Sequence, residues 1–472
     1  MSMRERLRKW WKAPRPPRTR RERGVAMLIV ITWLALMISI IGEFTYGTTV
    51  DAAQAANARD ELRAHYLARS SVNLARLLIK IQQQYIDPIM NQLQKMLSQA
   101  TGAGANGTGG STGAAGNNQS AAPSLGFSLR VTDYASMLMG FFSGSKDEVA
   151  GLGSLIGLDT SKITGLGLKS GTFDAQITSD DGKIDINCGS GVASDRGKQL
   201  IVYRLLMGLM SSRRFDKLFS EADTTGNFAT RTDVARAIID WADGDEQMFT
   251  PEGGSSNSED YRYDAHADKY RAHDNSYDTL EEIKMVRGVT DGFMEAFAPY
   301  LTVYASDPNC KVNLGAISNK ETGDCTPLVM GVIRAAATPD PAKPPTDPTV
   351  FDDNVLYPLA SILCDRASTA GFDSLNTITS LLANPQTAVL PDDPRYRMFQ
   401  GMRPIQIDAG QLGNLAYVGP ARVYRVTATG GSGRVKKKIT TIVDTGRIIE
   451  NGLTLNAASE KAAGALQYWR EE

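Results

Sequence analysis

Seventeen consecutive residues, Val25 to Ile41, carry no charge and no proline, and they follow directly on a strongly basic tip. No other feature limits the fold as much. With Gly42 the run is 18 residues, about 27 Å as an α-helix and close to the roughly 30 Å hydrocarbon core of a bilayer. Residues 1–24 hold ten basic and two acidic side chains, a charge of +8. Such a flank stays on the cytoplasmic side and sends the following chain across. The whole chain is formally −1, so the other 448 residues carry −9. A basic tip on an acidic body is not the charge pattern of a nucleic-acid binder. A cleaved secretory signal fits poorly, because the run is long and Gly42-Glu43-Phe44-Thr45-Tyr46 is not a small-residue cleavage site.

Thr48 to Asp87 contains neither Gly nor Pro and is rich in Ala, Leu, Gln and Arg, all good helix formers. Leu67, Leu74, Leu78, Ile81 and Tyr85 recur at helical spacing. One helix over 25–98 is therefore predicted, spanning the membrane at 25–42 and amphipathic beyond, with a kink or end at Asp87-Pro88. A Gly-rich linker follows at 99–125; its 101–122 stretch has seven Gly and no charge. Alternating apolar positions on both sides of Asp181-Gly182 predict a hairpin within Phe173–Asn187. Lys198–Met210 and Thr232–Ala242 read as helices. Arg403–Asp408, Arg422–Thr429 and Lys436–Asp444 read as strands, the last two joined through Gly430–Gly433.

The fold class is thus α+β: a long N-terminal transmembrane and amphipathic helix, an antiparallel sheet, and a helical insertion. The boundaries are a tip at 1–24, the helix at 25–98, the linker at 99–125, a first part of the α/β domain at 126–193, helices at 194–400 and C-terminal strands at 401–472.

Asp240, Asp243, Asp245, Glu246, Glu252, Glu259, Asp260 and Asp264 fall within 25 residues, against Arg262 alone. Crowded carboxylates need a counter-charge or solvent. Two readings fit: a solvated acidic loop, or oxygen ligands for Ca²⁺, which accepts flexible geometry. It is not an EF-hand, since position twelve from Asp240 is Pro251. Four cysteines, Cys188, Cys310, Cys325 and Cys364, allow three pairings in a translocated domain, or stand as four buried free thiols. Cys310 and Cys325 bracket a short loop, and a bridge there would contribute about 3 kcal/mol. No nucleophile elbow, P-loop or dinucleotide fingerprint appears, and three His are too few for a His-rich zinc site, so no enzyme is expected.

Arg-Glu-Arg-Gly24 before an apolar helix resembles a prepilin-type leader. That resemblance implies a membrane peptidase that cuts after Gly24, leaving Val25 as a methylated N-terminus; the plain alternative is an ordinary membrane anchor. Pilin-like subunits usually carry Glu at mature position five, where Ile29 stands here. Its lack is a feature of the K-class minor pseudopilins of type II secretion systems. The order of further stretches is similar to that family: "GKIDIN" (182–187), "IIDWADGDE" (238–246) with "SEDYRY" (258–263), "DNSYDTLEEIKMVRGV" (274–289), "KVNLGAI" (311–317) and, more weakly, "YRVTATG" (424–430).

The resemblance implies a pilin-like sheet and a subunit that starts or caps a periplasmic pseudopilus tip for export of folded proteins. Its partners would be other minor pseudopilins, met through the N-terminal helix and the globular domain, and the prepilin peptidase. It would take no nucleic acid and no small-molecule substrate. It implies a single pass through the inner membrane, with the leader cytoplasmic and the globular domains periplasmic. It also implies calcium in the acidic loop, with Asp240, Asp243, Asp245, Glu259 and Asp260 as ligands and Asp264 and Asn275 as weaker candidates. A membrane-anchored periplasmic calcium-binding module and a type IV pilus minor pilin are the alternatives.

Overall fold

A sequence without breakers holds one helix for as long as it lasts. Helix α1 accordingly runs over Arg20–Ile81, 62 residues, in the computed structural model. The structure describes residues 20–89, 92, 96, 130–143, 171–191, 194–220, 229–254, 258, 263, 270–304, 307–317, 323–369, 371–372, 374–389, 393, 395–446 and 465–472. The tip before residue 20 and the linker expected at 99–125 lie outside the described residues. The helix does not end at Asp87-Pro88: a π-turn at Gln82–Ile86 interrupts the α pattern just ahead, and helix resumes through residue 89.

The remaining helices are α2 (Ala135–Ser143), α3 (Arg196–Met210), α4 (Arg231–Asp240), α5 (Asp291–Phe297), α6 (Thr326–Ala337), α7 (Asp353–Thr369), α8 (Leu375–Ala383), α9 (Tyr396–Gln400) and α10 (Ala409–Leu415). The strands are β1 (Thr172–Ser179), β2 (Ile184–Asp185), β3 (Leu301–Thr302), β4 (Val312–Asn313), β5 (Ala416–Tyr417), β6 (Val423–Ser432), β7 (Val435–Asp444) and β8 (Ala465–Glu471). Capping sets several helix starts: the Asp195 carboxylate accepts from Gly197 and Lys198 N–H ahead of α3, and Thr230 with Asp233 forms a capping box at α4.

Strands β1, β6, β7 and β8 form one antiparallel sheet in the order β1-β6-β7-β8. The second half of α1 lies across it. Ala64, Ala68, Ser71, Val72, Ala75, Leu78 and Ile79 are buried against Phe173, Ala175, Ile177, Val426, Ala428, Ile439 and Val443. This matches the stripe read from periodicity only in part: Leu78 is buried there and Leu67 and Leu74 pack at its edge, but Tyr85 is exposed. Close approach explains the difference. A Cβ on Gly430 would collide with the Ala64 carbonyl oxygen and the Ala68 nitrogen, and would lie 3.1 Å from Ala68 Cα. Helix backbone rests on strand backbone there, so the helix positions opposite Gly430 are small, Ala64 and Ala68. Ser71 Oγ donates to Asp174 O at 2.7 Å across the same seam.

The hairpin expected at Asp181-Gly182 does not form. Strand β1 pairs with β6, while β2 leaves to run parallel to β3. The acids at the turn are buried and hold other elements. Asp180 is bonded to Lys183 Nζ at 2.9 Å and Arg425 Nη2 at 2.8 Å. Asp181 Oδ2 accepts from the backbone N–H of Arg422 and of Val423, fixing the start of β6.

The helices share a separate core that includes Leu205, Leu206, Ile238, Phe293, Phe297, Leu301, Ile333 and Leu359 and runs on through Ile405, Leu412, Leu415 and Ala416. The strand expected over Arg403–Asp408 is therefore absent. Its polar groups serve the helical body instead: Ile405 N–H donates to Leu382 O, Gln406 N–H to the Asp347 carboxylate, and Asp408 caps α10. Helical body and sheet meet at Asp180, which also accepts from Thr302 Oγ1 at 3.3 Å, and at Tyr304 against Tyr468, 5.9 Å between rings.

Candidate functional site

Two regions carry the residues singled out in the sequence. The first is the start of α1. Over its most apolar 18-residue window the mean hydropathy is 2.6 and none of it is buried within the chain. Val25 and Ile29 are 57% and 53% exposed, and a Cβ at Gly24 would meet nothing within 4 Å. So the fold makes no demand on Gly24; any requirement for it lies in another molecule. Such an apolar surface is stable only in lipid or against other apolar helices. Phe44 and Tyr46, 73% and 72% exposed, follow the run directly. Aromatic rings at that position suit the membrane–water interface. The sequence reading passed over them, although their place after the run was the signal.

The second region is the acidic loop after α4. Asp240 ends that helix and Asp243 follows it; both are 2% exposed. Asp240 Oδ1 accepts from Phe249 N–H at 2.6 Å. Burial pushes its pKa up to about 8; the Phe249 bond opposes that, and the Asp243 charge adds to it. Asp243 Oδ2 accepts from Gln199 Nε2 at 2.8 Å. Asp245 is exposed, and its Oδ1 accepts from Gln247 N–H at 2.8 Å. Asn275 is exposed and accepts from Ser276 N–H through its side chain. Glu259, Asp260 and Asp264 lie outside the described residues. Among the described residues no three His, Cys, Asp or Glu side chains converge so as to hold a metal. What the structure does bring together is Asp240 and Asp243, two adjacent buried carboxylates whose shared cost a hard dication relieves. That donor chemistry fits calcium in kind. Sequence reasoning missed Gln199, which comes from α3 and is invisible to any count of acids.

The cysteines correct an expectation. Cys310 is not bonded to Cys325. The disulfides are Cys188–Cys310, with Cα atoms 5.5 Å apart, and Cys325–Cys364, at 5.6 Å. The topology is the reason. Cys188 and Cys310 lie beyond the ends of β2 and β3, which pair side by side, whereas Cys325 starts α6 and faces α7. The loops closed have separations of 122 and 39 residues, worth about 5 and about 4 kcal/mol on the chain-entropy account.

Residues 208–306 match the family model described as Type II secretion system (T2SS), protein K. That stretch contains α4, the acidic loop and α5, and it bears out the resemblance drawn from the sequence. No curated protein matches the chain. A chain of the GspK-GspI-GspJ complex from the enterotoxigenic Escherichia coli Type 2 Secretion System is similar at 11% identity, with a TM-score of 0.40, covering 65% of this chain and 81% of that chain.

Proposed function

We propose that this chain, which carries a type II secretion protein K domain, is a minor pseudopilin that starts or caps a periplasmic pseudopilus and so takes part in export of folded proteins across the outer membrane. The observation that carries the reading is the pairing of that matched domain with α1, a helix bare over its first turns and packed on an antiparallel sheet further along. The anchor would sit in the inner membrane, single-pass, with both cores periplasmic. Other minor pseudopilins would pack along the bare part of α1 and against the globular domains. The protein would work by assembly, not catalysis. Ile29 supports a place at the tip: a subunit with no neighbour above it has no N-terminal amine to pair with, and an unpaired carboxylate in lipid is costly. Asp240, Asp243 and Asp245, with Glu259 and Asp260, would hold calcium and so fix the acidic loop.

Processing tests the reading. Mass spectrometry of the N-terminus of membrane-extracted protein is expected to find Val25, methylated, in cells with active prepilin peptidase, and the uncut chain after Gly24→Val. Because a side chain at 24 touches nothing in the fold, that variant probes the peptidase alone. An intact Met1 end in wild type, or a cut near residue 45, overturns the leader and with it the pseudopilin reading.

A further inference from the structure

The segment between β2 and α3 reaches the acidic loop from outside it. Gly191 N–H donates to Ala242 O at 2.8 Å, and residue 191 bridges Asp243 in parallel. In the first turn of α3, Gln199, 5% exposed, donates to Asp243 Oδ2. One segment thus holds Asp243 by its backbone and by its carboxylate. The segment is in turn fixed where it begins. Asn187 accepts from Tyr277 N–H at 2.7 Å and donates to Tyr277 O and Val303 O, both at 2.9 Å. Ser190 Oγ meets Ser276 Oγ at 2.8 Å. Between them Cys188 is bonded to Cys310.

We propose that the Cys188–Cys310 disulfide positions the acidic loop, so that the loop binds a cation more tightly when these cysteines are oxidised than when they are reduced. This rests on the reading of the loop as a calcium site. With the disulfide intact, residues 187–191 are tied to the β2–β3 pair, and Gln199 fixes one oxygen of Asp243 in place. Without it, the stretch between the core residues of β2 and those of α3 is held by individual hydrogen bonds of modest net strength. Coupling of this kind is reciprocal: whatever factor the disulfide adds to cation affinity, the cation adds to the disulfide's resistance to reduction. The Cys325–Cys364 disulfide, which joins α6 to α7, takes no part and serves as an internal control.

The test uses the full chain in detergent. Calorimetric Ca²⁺ titration compares oxidised wild type, Cys188→Ser with Cys310→Ser, and Gln199→Leu. In parallel, mass spectrometry follows thiol release at each disulfide under dithiothreitol, with Ca²⁺ or with chelator. That dithiol ends as its own cyclic disulfide and leaves two cysteine thiols. The double variant is expected to bind about tenfold more weakly, and Gln199→Leu about tenfold more weakly with both disulfides intact. Ca²⁺ is expected to slow reduction of Cys188–Cys310 and not of Cys325–Cys364. If the double variant fails to fold, Gln199→Leu and the reduction rates decide. Equal affinities, or reduction rates indifferent to Ca²⁺, overturn the coupling and leave the calcium reading standing. No binding by oxidised wild type overturns the calcium reading. The positioning role is then judged by hydrogen exchange at residues 240–249, where unchanged protection after loss of the disulfide overturns it too.

Discussion

Gly430→Ala should separate the long helix from its sheet. The new methyl would enter space held by the Ala64 carbonyl oxygen and the Ala68 nitrogen, with Ala68 Cα at 3.1 Å. All three are helix backbone, and Gly430 is itself fixed in register by Phe173 on one side and Lys437 on the other. Neither partner has a side chain that can rotate away. Forced overpacking of this kind costs roughly 1–3 kcal/mol when neighbours yield. Here they cannot, and the variant would also disturb the Ser71–Asp174 bond along the same seam, so about 3 kcal/mol is expected. Gly431→Ala is the matched control, since its methyl would meet Thr172 Oγ1 at 3.0 Å and nothing else closer than 3.9 Å. A rotating hydroxyl gives way at below about 1 kcal/mol. Hydrogen exchange of peptides from β6 and β7, read by mass spectrometry, measures both. Gly430→Ala should raise the opening equilibrium about a hundredfold and Gly431→Ala less than tenfold. Equal protection in the two variants would refute the argument that backbone contact, not leucine packing, seats α1 on the sheet.

Ile29→Glu would place a carboxylate in hydrocarbon at a cost of roughly 2.5–3.5 kcal/mol; export should fall, and normal export with normal filament initiation would end the tip interpretation. Asp180 governs acid stability: burial raises its pKa, but Lys183 and Arg425 outweigh that and bring it to about 2. A carboxylate depressed in the folded state stabilises above its unfolded pKa and stops doing so as pH falls through the folded value. Thermal stability should therefore drop between about pH 4 and pH 2, and Asp180→Asn should be destabilised already at pH 7, by roughly 3–5 kcal/mol, with a shallower acid slope. An acid profile unchanged by the substitution would remove Asp180 from that role. Ca²⁺ should raise the melting temperature of the chain and Mg²⁺ should do less, while Asp243→Ala with Asp245→Ala should abolish the gain. Equal wild-type melting with Ca²⁺ and with chelator would leave the loop a solvated surface.

The long apolar helix was legible because a charge-free run of that length has few alternatives, and α3 and α4 because their apolar periodicity is strong. What failed was non-local. Asp181-Gly182 has the local chemistry of a hairpin, yet Asp180 and Asp181 bind Arg425, Arg422 and Val423, about 240 residues away. Periodicity weights bulky residues, so it found Leu78 but chose Leu67 and Tyr85 over Ala64, Ala68 and Ala75, although the positions opposite Gly430 admit only small ones. Cysteine spacing is silent on pairing, which the β2–β3 neighbourhood decides. At the acidic loop the composition marked the cluster. It could not tell buried Asp240 and Asp243 from exposed Asp245, because the partners of the buried pair, Phe249 N–H and Gln199 of α3, are not part of the acid count.

The most direct test of the central claim is export itself. In cells whose copy of this chain is deleted, folded proteins destined for the medium should accumulate in the periplasm, and the full chain supplied in trans should restore their release, while a Gly24→Val chain should not. Release at the wild-type level without the chain would contradict its assignment to the secretion pseudopilus.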